Sequence, residues 1–87
     1  MVITSPRDLA AAVRGRRASL GLSQAELALR AGVSRPWLSK VEAGKTKAEF
    51  DLIIRLLDTL GMTLRLDVAD SKAASVNLDA ILKDYES

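Results

Sequence analysis

The segment from Ser23 to Gly44, SQAELALRAGVSRPWLSKVEAG, holds two short helical patterns on either side of one Ala-Gly-Val turn. Each pattern starts at a serine suited to capping a helix, Ser23 or Ser34, and each ends at a glycine. Apolar residues recur at three- or four-residue spacing, which gives each helix one buried side. The segment therefore predicts two helices that pack tightly against each other, and the rest of the chain must be arranged around that pair.

A helix before this pair is predicted by its own start and stop signals. Ser5 and Asp8 have the spacing of a capping box, Pro6 suits the first helical turn, and Gly21 ends the pattern. The residues predicted to line its buried side are Leu9, Ala12, Val13 and Leu20.

A fourth helix is predicted after the pair. Thr46 and Glu49 form a second candidate capping box, and Gly61 is the expected end. Its predicted buried face consists of Phe50, Ile53, Ile54, Leu57 and Leu60. Residues 1–61 are thus predicted to form one all-α domain.

The apolar period changes from 3.6 to 2 after Gly61, which predicts a single β-strand over residues 62–69. A lone strand leaves its backbone N–H and C=O groups unpaired, so we expect it to pair with a second copy in a homodimer. The alternating apolar residues are Met62, Leu64, Leu66 and Val68.

Residues 70–87 read as a flexible linker and a short amphipathic tail, the fifth helix of a four- to five-helix chain. The tail is too short to be stable alone, so it either binds a partner or folds back on its own domain. Its apolar stripe consists of Leu78, Ile81, Leu82 and Tyr85.

Composition excludes most catalytic chemistry. The 87 residues contain no histidine and no cysteine, which removes the commonest general base and the commonest metal ligands. No serine has a histidine partner, and no glycine-rich phosphate loop occurs. We therefore expect no enzyme activity, no cofactor and no metal. No apolar run is long enough to span a membrane, and no signal-peptide pattern is seen, so a cytoplasmic location is expected.

Charge is distributed unevenly along the chain. Residues 1–50 hold nine Lys or Arg against four acids, a net charge of +5, whereas residues 51–87 hold four against seven, a net charge of −3. The basic half is the half that contains the helix pair. A basic surface on such a pair favours a nucleic-acid partner.

The helix pair meets the steric requirements of a DNA-binding helix-turn-helix unit. Counted from Gln24, a small residue is needed at the fifth place and glycine at the ninth, and Ala28 and Gly32 stand there. Leu38 and Val41 supply the apolar underside of the second helix. Such a crossing lets the second helix enter a DNA major groove.

At these residues the sequence resembles the Xre and phage-repressor type of helix-turn-helix protein, which implies a lambda-repressor-like fold. More narrowly, SPRDLA, the period-2 segment and the short tail are similar to HipB-type antitoxins, the DNA-binding partners of HipA-type kinase toxins. The resemblance implies a dimer that binds a palindromic operator in double-stranded DNA, represses its own operon and binds a HipA-like kinase toxin. A stand-alone Xre-family regulator and a purely protein-binding helical module are the alternatives.

The resemblance also implies roles for individual residues. Base reading falls to the start of the second helix of the pair and its next exposed turn, with Arg35 the strongest candidate for guanine. Phosphate contacts fall to the start of the first helix and to the following loop. The base-reading set is Ser34, Arg35, Pro36, Ser39 and Lys40, and the phosphate set is Ser23, Gln24, Lys45, Thr46 and Lys47.

Two further residues of the family pattern, Arg17 and Glu42, are expected to form a structural ion pair that fixes the second helix of the pair. Trp37, the only tryptophan, lies either on the DNA backbone or at the edge of the core, and we favour the core.

Overall fold

The computed structural model describes residues 1–45 and 47–69. This part contains four α-helices, α1 (Pro6–Ser19), α2 (Gln24–Ala31), α3 (Arg35–Glu42) and α4 (Phe50–Thr59). The prediction of an all-helical domain is therefore confirmed. Thr46 and residues 70–87 lie outside the described residues, and with them the predicted tail stripe of Leu78, Ile81, Leu82 and Tyr85.

Serine side chains cap the first three helices, as the sequence predicts. In each case the serine Oγ accepts a hydrogen bond from the backbone N–H three residues later, at 3.0–3.2 Å. These bonds satisfy N–H groups that have no partner inside the helix. At α1 the Asp8 carboxylate also accepts a bond from the backbone N–H of Thr4 at 2.8 Å, which holds the pKa of Asp8 below its usual value.

The predicted start of α4 is wrong. The N-cap is Glu49, whose side chain makes no capping bond, so the predicted capping box of Thr46 and Glu49 does not form. The predicted buried face is also rotated: Ile53, Leu57 and Leu60 are buried, but Leu56 completes the set. Phe50 is 66% exposed and Ile54 40% exposed, because α2 packs against the side of α4 that carries Leu56.

Leu20 is a second correction, since it is 43% exposed although it was expected on the buried side of α1. The chain turns at Gly21, where φ is +69°, and this turn brings Leu22 rather than Leu20 into the core.

The core lies where the four helices meet, with α3 packed against α1 and α2, and α4 packed against α2. Five of its side chains are essentially inaccessible to solvent: Val13, Leu27, Leu38, Leu56 and Leu60. Among the described residues, no helix has the length and apolar character needed to cross a bilayer.

Residues 62–69 leave α4 without forming a strand in the single chain. Met62 donates its N–H to the Leu57 carbonyl at 2.8 Å and packs against the core. Beyond it, Leu66 and Val68 are 89% and 81% exposed. Pairing of this segment with a second copy remains a prediction.

Two glycines provide a matched test of backbone conformation. A Cβ on either Gly15 or Gly21 would meet no atom within 4 Å, but Gly15 lies inside α1 and Gly21 has φ of +69°. Gly15→Ala should raise the free energy of unfolding by about 0.5–1 kcal/mol, because alanine is the better helix former. Gly21→Ala should lower it by about 1–2 kcal/mol, because a Cβ disfavours the left-handed region. Urea unfolding followed by circular dichroism measures both, and equal signs would contradict the explanation.

Candidate nucleic-acid interface

The turn between α2 and α3 holds the two helices in direct contact. Gly32 ends α2 in the left-handed conformation, with φ of +71°, and the N–H of Val33 donates to the Ala28 carbonyl at 3.0 Å. Ala28 is 3% exposed. A larger residue there would separate the helices, so the small side chain and the glycine together set the crossing.

Helix α3 divides into a buried and an exposed side. Leu38, Val41 and Glu42 are buried, whereas the five residues proposed from the sequence to read bases are all exposed. These five are Ser34, Arg35, Pro36, Ser39 and Lys40. They occupy the N-terminal turn and the next turn of one helix face, which is the part of a recognition helix that meets base edges.

Pro36 and Trp37 have structural explanations. Pro36 lies in the first turn of α3, where its missing N–H would have had no partner inside the helix. Trp37 is half-buried and packs against the core cluster, in line with the reading favoured above. Its backbone N–H donates to the Ser34 hydroxyl at 3.1 Å.

The N-terminus of α2 presents the predicted phosphate residues in different ways. Ser23 is exposed and takes part in a capping box with Glu26. The backbone N–H of Ser23 donates to the Glu26 carboxylate at 3.2 Å, and this bond, followed by that to the serine side chain, holds the pKa of Glu26 below its usual value. Gln24 is half-buried, and its amide donates to Glu42 at 3.2 Å.

Glu42 is the one buried charged residue in the described part of the chain, with 3% of its surface exposed. Arg17 donates to both of its carboxylate oxygens, from Nε and from a terminal nitrogen, each at 2.8 Å. A third nitrogen of Arg17 donates to the Leu22 carbonyl at 2.9 Å. With Gln24, this network joins α1, α2 and α3. The expected ion pair is thus present in the fold, and Glu42 raises the pKa of Arg17.

Three more arginines donate to carbonyls at the ends of other helices, and the sequence analysis did not anticipate them. Arg14 donates to the Glu42 carbonyl at the end of α3. Arg16 donates to the Leu60 carbonyl at 2.8 Å, and Arg55 donates to the Gly32 carbonyl at 3.4 Å. The helix C-terminus favours cations, but partners 23 to 44 residues apart leave no local sequence signal.

The exposed cations near α3 have a different environment. Arg35, Lys40, Lys45 and Lys47 are exposed and form no ion pair with other residues in the described ranges. Their charges therefore remain available to an anionic partner. In the same ranges, no cluster of three or more acidic side chains is arranged to hold a metal.

Comparison with known proteins gives this arrangement a context. Residues 8–69 match the model of a family described as a helix-turn-helix domain. An uncharacterized HTH-type transcriptional regulator of Sinorhizobium fredii is 39% identical over 62 residues, covering 71% of this chain and 82% of that protein. An uncharacterized HTH-type regulator of Haemophilus influenzae is 36% identical over 50 residues, but the match spans only 51% of its length.

Solved structures of HipB have a similar fold. HipB in a HipB–O4 20mer complex superposes with a TM-score of 0.72 at 27% identity, covering 80% of this chain and 99% of that chain. HipB in a HipA–HipB–O2–O3 complex gives a TM-score of 0.70 at 28% identity, covering 83% and 99%. The resemblance to Xre-type and HipB-type proteins is confirmed by these matches.

The buried ion pair can be tested by removing one partner. Arg17→Met should lower the free energy of unfolding by about 3–5 kcal/mol, because it leaves the Glu42 carboxylate buried without its partner. Replacing both residues, as Arg17→Met with Glu42→Leu, should restore part of that loss.

The exposed pair of Arg65 and Asp67, with side chains 82% and 72% exposed, provides the control. Arg65→Met should change stability by less than about 1 kcal/mol. Urea unfolding measures all the variants. A loss in Arg17→Met no larger than that in Arg65→Met would show that burial does not set the strength of the Arg17–Glu42 interaction.

Proposed function

Because this chain belongs to the helix-turn-helix family of transcriptional regulators, we propose that it is a sequence-specific repressor that binds a palindromic operator as a homodimer. The observation that carries the proposal is the exposed face of α3, which is held by the Gly32 turn on one side and the Glu42 network on the other. A regulator of this family is a DNA-binding protein and not an enzyme.

In this proposal Arg35 is the principal base-reading residue. It lies in the first turn of α3, it is exposed, and a guanidinium can donate two hydrogen bonds to guanine O6 and N7. Lys40 lies further along the helix, where either a base or a phosphate is within its length. Ser34 and Ser39 supply hydroxyl groups on the same face, and Pro36 offers only an apolar contact, such as one with a thymine methyl group.

Phosphate binding is assigned to the start of α2 and to the loop after α3. One N–H of the Gln24 amide donates to Glu42, which orients the amide and leaves a second N–H for a phosphate oxygen. Ser23 lies beside the free N–H groups of the α2 N-terminus, where anions are favoured. Lys45 and Lys47 flank Thr46 in the loop and complete the proposed set.

The DNA-binding proposal is tested by salt dependence and by three matched variants. The operator is first selected from random DNA with the purified protein, and binding is then followed by fluorescence anisotropy. Affinity should fall by roughly 0.9 log units per tenfold rise in salt for each phosphate neutralised. A flat salt response would contradict the proposal.

Among the variants, Arg35→Ala should cost about 1–3 kcal/mol on the operator and relax base choice at one position in each half-site. Arg35→Lys keeps the charge but loses the bidentate geometry, so it should lose base choice while retaining the salt slope. Lys47→Ala should weaken binding to all sequences alike and reduce the slope by about 1. Equal losses on every sequence for all three variants would remove Arg35 from the reading role.

We further propose that the protein is an antitoxin whose partner is a HipA-like kinase toxin, and that it represses its own operon. The fold likeness to HipB, including HipB in a complex with HipA, supports this proposal. The tail stripe of Leu78, Ile81, Leu82 and Tyr85 is the proposed contact, with Tyr85 as the anchor because aromatic residues dominate binding hot spots. The alternative is a stand-alone regulator, for which no kinase-like protein would copurify from the native host.

The tail is tested by deletion and by a pair of point variants. Removing residues 76–87 should weaken copurification with the kinase while leaving operator binding and the melting temperature unchanged. Leu82→Lys should do the same, whereas Ala80→Lys adds an equal charge on the opposite side of the predicted helix and should have little effect. A lower melting temperature after deletion would instead indicate a tail that folds back on its own domain.

A further inference from the structure

An apolar groove of about 300 Å³ lies between the start of α1, the end of α3 and α4. Its floor includes Leu9, Val41 and Leu57, and its rim includes Ile3, Phe50 and Leu64. The groove is on the side of the domain formed by α4 and the segment after it. None of the residues assigned above to DNA contact lines it.

The rim of the groove is incompletely covered. Phe50 is 66% exposed, and Leu64, Ile3 and Ile54 are each 40% exposed. Single exposed apolar residues are ordinary, but a continuous apolar rim around a groove marks an interaction surface. The question is then which chemical partner fits it.

The segment after α4 supplies a complementary surface. Arg65 donates to Asp67 at 3.3 Å, so these two side chains lie on the same side of the chain, as alternate residues of an extended segment do. Leu64, Leu66 and Val68 alternate with them. Leu64 lines the groove of its own chain, whereas Leu66 and Val68 are 89% and 81% exposed. One apolar stripe therefore begins at the groove and continues past it into solvent.

The backbone of this segment is also available. After the bond from Met62 to Leu57, no backbone hydrogen bond involves residues 63–69 in the described part of the chain. Unpaired strand backbone is a template for a second strand. Only antiparallel registers that place even-numbered residues opposite even-numbered ones keep the apolar stripes on one face, and these place Leu64 opposite Leu66 or Val68 of the second copy.

We propose that the groove is filled by the same segment of a second copy, so that Leu66 and Val68 of each chain cover Leu64 and Phe50 of the other. The contact is reciprocal, as a two-fold dimer requires. This inference rests on the proposed homodimer and specifies where its apolar contacts lie.

Cross-linking tests the proposal directly, because the chain contains no cysteine. Phe50→Cys and Leu66→Cys are made in separate chains that differ in size, mixed, and treated with a short bismaleimide. A product joining the two chains through positions 50 and 66 is expected, and mass spectrometry identifies it. Leu29→Cys, at a residue 83% exposed on α2 and outside the groove, should give no product with Phe50→Cys. Circular dichroism checks that each variant is folded.

The outcomes separate the groove from the homodimer. Light scattering that shows a dimer without the 50–66 product would overturn the groove contact and leave the dimer standing. A monomer at the assay concentration would overturn both. A product that forms only after residues 76–87 are deleted would assign the groove to the tail and also overturn the proposal.

Charge substitutions give a second, independent measurement. Leu66→Lys should convert the dimer to monomers, because it places an ammonium group over an apolar groove. Thr63→Lys adds the same charge to the other side of the segment and should leave the dimer intact. Dimers retained in both variants would contradict the proposed contact.

Discussion

The buried carboxylate of Glu42 determines how the DNA-facing helix is held. It lies on α3, it is almost inaccessible to solvent, and its hydrogen-bond partners come from α1 and α2. A carboxylate in such a place is stable only while those donors stay in position, so the three helices cannot shift independently. Helices of eight residues are not stable alone in water, and the orientation of α3 therefore depends on this network and on the core beneath it.

Local signals made much of this arrangement predictable from the sequence. Serine caps and terminal glycines act over three or four residues, and they correctly marked the starts of α1, α2 and α3 and the ends of all four helices. The separation of exposed and buried residues on α3 followed from the same short-range spacing. The candidate interface was therefore well predicted as a surface, although which base or phosphate each side chain contacts remains a proposal.

What escaped prediction depends on contacts between distant residues. The α4 segment FDLIIRLLDT contains more apolar residues than one helix face holds, so the buried set is decided by the helices that pack against it. Leu56 is buried and Phe50 is not for that reason. The arginine contacts from Arg14, Arg16 and Arg55 to the ends of other helices have the same origin. Their sequence separation conceals them, and a cation count alone treats them as free surface charge.

The position of Trp37 gives the molecule an optical property. It is the only tryptophan, it lies on α3 between the exposed Pro36 and the buried Leu38, and it is itself half-buried at the edge of the core. Indole emission excited at the red edge of its absorption therefore originates from one place in the chain. That place borders both the hydrophobic interior and the face that we assign to DNA, so the fluorescence of the unmodified protein reports on folding and on ligand docking without an added dye.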